Sequence, residues 1–110
     1  MAMDLLEYQT EDGASPFGRW FSTLDATAAA KVTTALTRLG LGNTSNVKVV
    51  GAGVFELKID FGAGYRVYFG RDGAVIAILL GGGTKKRQQR DIEVAQDHWQ
   101  DYKRRKKGRA

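Results

Sequence analysis

Hydrophobic and polar positions alternate along residues 54–69, and this two-residue period predicts a pair of β-strands joined by a glycine-rich turn. Apolar side chains take one side of both strands, so charged and phenolic side chains share the other. If the two apolar faces coincide, Asp60 lies near Arg66 and Lys58 lies near Tyr68. The pattern therefore predicts a hairpin with one polar surface.

A longer period predicts two helices in the N-terminal third of the chain. Apolar residues recur at i, i+3, i+4 and i+7 from Phe17 to Leu24, directly after Ser15-Pro16, a pair typical of a helix start. Asp25 can cap a second helix with the same spacing, and two glycines end it. We expect the pair to form a helical hairpin.

Four further segments complete the predicted order of elements. Residues 3–9 are typical of a short edge strand, and residues 47–50 predict another strand. Residues 74–80 are apolar on both faces, which favours a central strand that ends at a glycine run. A final helix is predicted over about residues 87–107. Its apolar spacing from Ile92 to Tyr102 packs it back on the body, and beyond Tyr102 it loses its apolar face and is expected to fray.

Charge divides the chain unevenly. Residues 1–84 carry seven basic and eight acidic side chains, whereas residues 85–110 carry ten basic and four acidic ones. We therefore expect one domain over residues 1–102 and a basic, mobile tail over residues 103–110, suited to an anionic partner. The chain has no cysteine and one histidine, so we expect no metal site and no cofactor. Nothing suggests export or a membrane span, and a cytoplasmic location is the simplest expectation.

The order of these motifs resembles the RelE/ParE superfamily of toxins from type II toxin–antitoxin modules. Within it, the chain is most similar to the HigB-like, phage-related addiction module killer proteins. The segments that carry the resemblance are FGRWFSTL (17–24), VK (47–48), GVFELKI (53–59), GYRVYFG (64–70), LLGGGTK (79–85) and RDIEVA (90–95). The resemblance spans roughly residues 4 to 100.

The resemblance implies an α+β fold, in which an N-terminal strand and a helical hairpin pack on a mainly antiparallel sheet of about four strands, with a C-terminal helix. It also implies an mRNA interferase, a metal-independent endoribonuclease that acts on mRNA, often at the ribosome. A helix-turn-helix antitoxin would neutralise it in a hetero-oligomer. Cleavage of this kind activates the ribose 2′-hydroxyl to attack the adjacent phosphate.

Three cations are the candidate catalytic residues. Arg66 offers a planar fork that suits a phosphate, although an ordinary cross-strand ion pair with Asp60 is the alternative. Lys58 matches a lysine with which the RelE branch contacts RNA, and its alternative is a solvated strand residue. Lys85 follows the glycine run at a strand end, where it is either functional or a plain loop lysine.

At the position of the general base, the sequence differs from the RelE pattern and reads RQQRDIEV (87–94). RelE-type nucleases carry a tyrosine or histidine near the C-terminus, and His98 is the only candidate there with a suitable ordinary pKa. The alternative for His98 is an ordinary surface residue of the helix. Tyr68 is either a proton donor or an aromatic residue that packs between strands. Glu56 occupies the position at which the RelE branch carries a second lysine. Further cations suit general RNA binding: Lys86, Arg87, Arg90, Lys103, Arg104 and Arg105.

Two other functions stay open at this point. The same fold serves ParE-like toxins, which inhibit DNA gyrase without catalytic side chains. A non-enzymatic nucleic-acid-binding module is the third possibility, with the basic C-terminal segment as its main contact.

Overall fold

The computed structural model describes residues 2–108, which form a five-stranded sheet with helices on both faces. In chain order the elements are β1 (Asp4–Glu7), α1 (Pro16–Phe21), α2 (Ala26–Gly40), β2 (Val47–Val49), β3 (Val54–Ile59), β4 (Tyr65–Asp72), β5 (Ile76–Thr84), a 3-10 turn (Lys85–Arg87) and α3 (Gln88–Gly108). The mixed α+β class expected from the sequence is confirmed.

The sheet has the strand order β1-β5-β4-β3-β2, so the expected count of about four strands is wrong. The N-terminal strand does not pack on the sheet but extends it, pairing in parallel with β5, whereas all other pairs are antiparallel. This pairing joins Asp4 to Ile76, far apart in the chain. A local hydrophobic pattern contains no information about such a distant partner.

Both N-terminal helices begin where the sequence predicts. The Ser15 hydroxyl accepts a hydrogen bond from the Gly18 amide at 2.9 Å. The Asp25 carboxylate accepts one from the Ala28 amide at 2.8 Å. Each cap satisfies an amide that the first helical turn leaves without a partner.

Each face of the sheet carries its own apolar cluster. The cluster under α1 and α2 contains alternate strand residues such as Val67 and Phe69, and the cluster under α3 contains Tyr68 between them. The α3 side also buries Val54, Ile78, Leu80, Ala95 and Trp99. The polar face predicted for the β3–β4 hairpin is therefore the face that α3 covers.

The register of this hairpin differs from the expected one by two residues. Lys58 lies opposite Arg66, and Glu56 lies opposite Tyr68, so the expected Asp60–Arg66 and Lys58–Tyr68 neighbours are wrong. A turn closed by a hydrogen bond from the Gly64 amide to the Phe61 carbonyl, at 2.9 Å, fixes the register. Turn geometry, which alternation alone does not specify, decides which residues face each other.

Strand β5 runs through the glycine run instead of ending before it. A methyl group at Gly82 would lie 2.6 Å from Cδ2 of Trp20, and one at Gly83 would lie 2.8 Å from Cγ of Asp91. The missing side chains let α1 and the first turn of α3 approach opposite faces of the same strand.

Helix α3 continues to Gly108, close to the predicted end near residue 107, and residues 103–108, for which the sequence predicts a fraying tail, are helical. Arg105 forms an ion pair with Asp101 at 2.8 Å and lies over the Tyr8 ring, and Lys106 pairs with Asp72. These contacts support the last two turns. Motion of this segment in solution stays a prediction, and residues 109–110 lie outside the described part. Within residues 2–108, no helix is long and apolar enough to cross a bilayer.

Candidate functional site

The structure brings three candidate cations to one end of the sheet. Lys58 and Arg66 are direct neighbours across β3 and β4. The Gly64 carbonyl accepts hydrogen bonds from Arg66 Nη1 and from the Lys85 backbone amide, each at 3.0 Å. We call Lys58, Arg66 and Lys85 the cationic end.

The two lysines of the cationic end are exposed, whereas the Arg66 residue is only 5% exposed. Its Nε atom lies 3.7 Å from Oε1 of Glu56, a carboxylate that is itself 1% exposed. Glu56, not Asp60, is thus the ion partner of Arg66. The guanidinium is fixed at two points, by a carboxylate at Nε and by a carbonyl at Nη1.

Glu56 is the centre of a larger polar cluster beneath the start of α3. Gln88 donates a hydrogen bond from Nε2 to Glu56 Oε2 at 3.0 Å, which ties the first turn of α3 to β3. On the other side, Lys48 Nζ on β2 lies 3.6 Å from Glu56 Oε1. The cluster therefore connects α3, the β3–β4 hairpin and the edge strand.

Tyr68 lies in this cluster and is fully buried. Burial raises its pKa, and the nearby carboxylates of Glu56 and Asp91 raise it further. The phenol accordingly keeps its proton at neutral pH. Since solvent does not reach the hydroxyl, the geometry favours packing over proton transfer to a substrate.

Asp91, in the first turn of α3, packs against Gly83 of β5. Burial raises the pKa of its carboxyl, while the positive charges of Arg87 and Arg90 act in the opposite direction. Both arginines are exposed, as is Lys86. The 3-10 turn and the start of α3 thus add solvent-facing cations beside the cationic end.

His98 lies away from the cationic end. It is ten residues beyond Gln88 on α3, which corresponds to about 15 Å along a helix axis. Its ring stacks on Tyr8 with a centroid distance of 4.9 Å, and burial lowers its pKa. The structure therefore does not bring His98 to Arg66.

The C-terminal cations of α3 differ in their surroundings. Lys103 and Arg104 are exposed, and Lys103 lies over the Trp99 ring at 5.7 Å from its centroid. Arg105 is half-buried between Asp101 and Tyr8. Lys103 and Arg104 are more accessible to a nucleic acid than Arg105.

The site also contains residues that sequence reasoning missed. Alternation places Glu56 on the polar face of its strand, and Lys48 lies in the strand predicted over residues 47–50, but neither is predicted as a site residue. No local sequence pattern indicates that α3 buries Glu56 or that the Glu56 carboxylate forms an ion pair with Arg66. The sequence feature that could have pointed to Glu56 is its place two positions before Lys58, on the same strand face as this candidate RNA-binding lysine.

Comparison with known proteins decides the family. Residues 19–100 match the family described as phage-derived protein Gp49-like (DUF891). The chain belongs to the Gp49-like family. This RelE-like family is associated with toxin–antitoxin modules. The chain is also 45% identical over 80 residues to an uncharacterized protein of Haemophilus influenzae, an alignment that covers 72% of this chain and 81% of that protein. The matched segment of the Gp49-like chain includes all of the cationic end and the Glu56 cluster.

Proposed function

We propose that this Gp49-like protein is the toxin of a type II toxin–antitoxin module and that it cleaves mRNA without a metal ion. The observation that carries the proposal is the meeting of Lys58, Arg66 and Lys85 at one end of the sheet, in a family with toxin–antitoxin association. The HigB-like branch is the proposed affiliation within the superfamily.

The chemistry expected of this end is binding and stabilisation of a phosphate. Attack by a ribose 2′-hydroxyl adds negative charge to the phosphate oxygens, and preorganised cations stabilise that charge. Arg66 is held in a poorly hydrated position, where an electrostatic contact is stronger than in bulk water. The exposed lysines supply attraction to the RNA backbone. We assign no general base, because His98 lies at another part of α3.

The proposed partners follow from this activity. They are mRNA, most simply on the ribosome, and a cognate helix-turn-helix antitoxin that forms a hetero-oligomer with the toxin. The site of action would be the cytoplasm. The exposed cations of α3 and the turn before it are proposed as general contacts to RNA; they include Lys86, Arg87, Arg90, Lys103 and Arg104.

The test is brief induction of the chain without an antitoxin, followed by mapping of transcript 5′ ends. Wild type should arrest growth and cleave transcripts, and Lys58→Ala combined with Lys85→Ala should weaken both effects. Arg38→Ala is the control, because this exposed arginine lies on α2, which packs on the opposite face of the sheet.

Each alternative function predicts a different outcome. Growth arrest with intact transcripts and damaged DNA would indicate a gyrase inhibitor. Normal growth under verified soluble expression would reject the toxin assignment and favour a binding module. Equal toxicity of the double lysine variant and the Arg38→Ala control would show that the cationic end is not the site.

A further inference from the structure

We propose that Glu56 is the positioning residue for Arg66: its buried carboxylate fixes the guanidinium in the orientation that a substrate phosphate requires. The functional half of this inference rests on the proposed RNA cleavage. The structural half, that Glu56 orders Arg66, can be tested without any activity.

The first argument is the burial of the pair. The side chains of Glu56 and Arg66 are 1% and 6% exposed, and their facing atoms lie 3.7 Å apart. Two opposite charges buried together seldom stabilise a fold more than apolar residues of similar size, because desolvation offsets their attraction. A role other than stability therefore explains the pair better.

The second argument is the incomplete hydrogen bonding of the same atoms. Within residues 2–108, Glu56 Oε1 and Arg66 Nε are both buried and have no hydrogen-bond partner. Buried polar atoms are normally satisfied, so an unsatisfied pair calls for an explanation. Here the two atoms face each other, so the charge of Glu56 orients the guanidinium at Nε, while Nη1 donates to the Gly64 carbonyl.

The third argument is that Glu56 is itself held in place. Its second oxygen accepts the Gln88 hydrogen bond at 3.0 Å, and the carboxylate lies beside the buried Tyr68. A side chain fixed by the first turn of α3 can fix another side chain in turn. By contrast, Lys48, its other ionic neighbour, is 64% exposed and free to adjust to solvent.

The variant that tests the inference is Glu56→Gln, which keeps the shape of the side chain and an oxygen for Gln88 but removes the charge. Glu93→Gln is the matched control, since Glu93 is an exposed carboxylate on α3. Glu56→Asp restores the charge with a shorter side chain. All three variants should be prepared as the full chain.

The first readout is nitrogen-15 NMR of the arginine Nε–H groups. The Arg66 signal of wild type should be slow to exchange with water, as expected for a buried and ordered group. In Glu56→Gln it should exchange at least about tenfold faster or broaden, in Glu56→Asp it should be partly restored, and in Glu93→Gln it should not change. An unchanged Arg66 signal in Glu56→Gln would overturn the inference whether or not the protein cleaves RNA.

The second readout is the cleavage of a model RNA, with kcat and KM measured separately. Misplacing a charge-stabilising group should lower kcat of Glu56→Gln on the order of 10- to 100-fold. KM should not rise, because loss of the negative charge strengthens general attraction to RNA. Loss of Arg66 order with unchanged kcat would reject a role in the reaction. Absence of cleavage by folded wild type, both of the model RNA and of mRNA on ribosomes, would instead reject the proposed function, and the NMR result would still decide whether Glu56 orders Arg66.

If Glu56→Gln does not fold, Glu56→Asp serves as the test variant. A shorter carboxylate should leave Arg66 less protected and lower kcat while melting remains cooperative. Full protection and wild-type kcat in a folded Glu56→Asp variant would then contradict the inference.

Discussion

A glycine in the middle of a strand is normally less stabilising than an alanine there, but replacing Gly70 of β4 by alanine should destabilise this protein. The Gly70 backbone is in an ordinary region for any residue, so only the added methyl group matters. That methyl would lie 2.5 Å from Cδ2 and Cζ3 of Trp99, the tryptophan by which α3 packs on the sheet. Carbon atoms pack best at about 3.5–4.0 Å, so the indole would have to retreat by about 1 Å or more.

The magnitude follows from two opposing effects. Overpacking of a well-packed site costs about 1–3 kcal/mol. Replacing a strand glycine by alanine regains about 0.5–1 kcal/mol of backbone entropy. We expect Gly70→Ala to destabilise the fold by about 1–2 kcal/mol, and for a domain of this size each kcal/mol lowers Tm by about 4–8 °C. Trp99 is only 6% exposed and stacks on Tyr102 at 5.2 Å, so the ring has little room to move.

The assay is thermal and urea unfolding, followed by circular dichroism. Gly40→Ala is the control, because a methyl group there would meet the Met3 carbonyl at an ordinary 3.5 Å. In a Trp99→Leu background, Gly70→Ala should reduce the free energy of unfolding by less than it does in wild type. A double-mutant cycle measures this difference. Equal stability of Gly70→Ala and wild type would refute the packing argument.

Two further predictions concern pH and salt. Burial lowers the pKa of His98, so its contribution to stability should be complete above about pH 6.5 and be lost as pH falls toward the lowered value; His98→Gln should abolish this dependence in pH-resolved unfolding. Truncation after Tyr102 should reduce the slope of log affinity for single-stranded RNA against log salt by about 0.7 for each phosphate that the shorter chain no longer binds. Its stability should fall by no more than about 1 kcal/mol for each ion pair that the truncation removes, since these pairs are partly exposed. An unchanged slope with weaker antitoxin binding would assign this segment to the partner protein.

The sequence by itself determined the elements of the fold. Caps at Ser15 and Asp25 act on amides within three residues, so a local pattern is enough to predict the start of both helices. Strand alternation similarly assigned Arg66 and Lys58 to one face, and both do share it. Lys85 does follow a strand end, as predicted, but β5 continues through the glycine run and ends at Thr84, so the glycines do not mark that end.

The tertiary structure alone decided how these elements meet. The turn between β3 and β4 sets a register in which Glu56, not Asp60, is the ion-pair partner of Arg66. A register shift of two residues leaves the alternation of apolar and polar positions unchanged, so the alternation could not predict it. The packing of α3 turned a polar strand face into a buried one. It also placed the first turn of α3 beside the cationic end, which leaves His98 about 15 Å further along the helix, stacked on Tyr8. The burial of a side chain and its choice of ion-pair partner depend on contacts between segments that are distant in the chain. Those contacts determine which cations are exposed to a ligand and which form ion pairs within the protein.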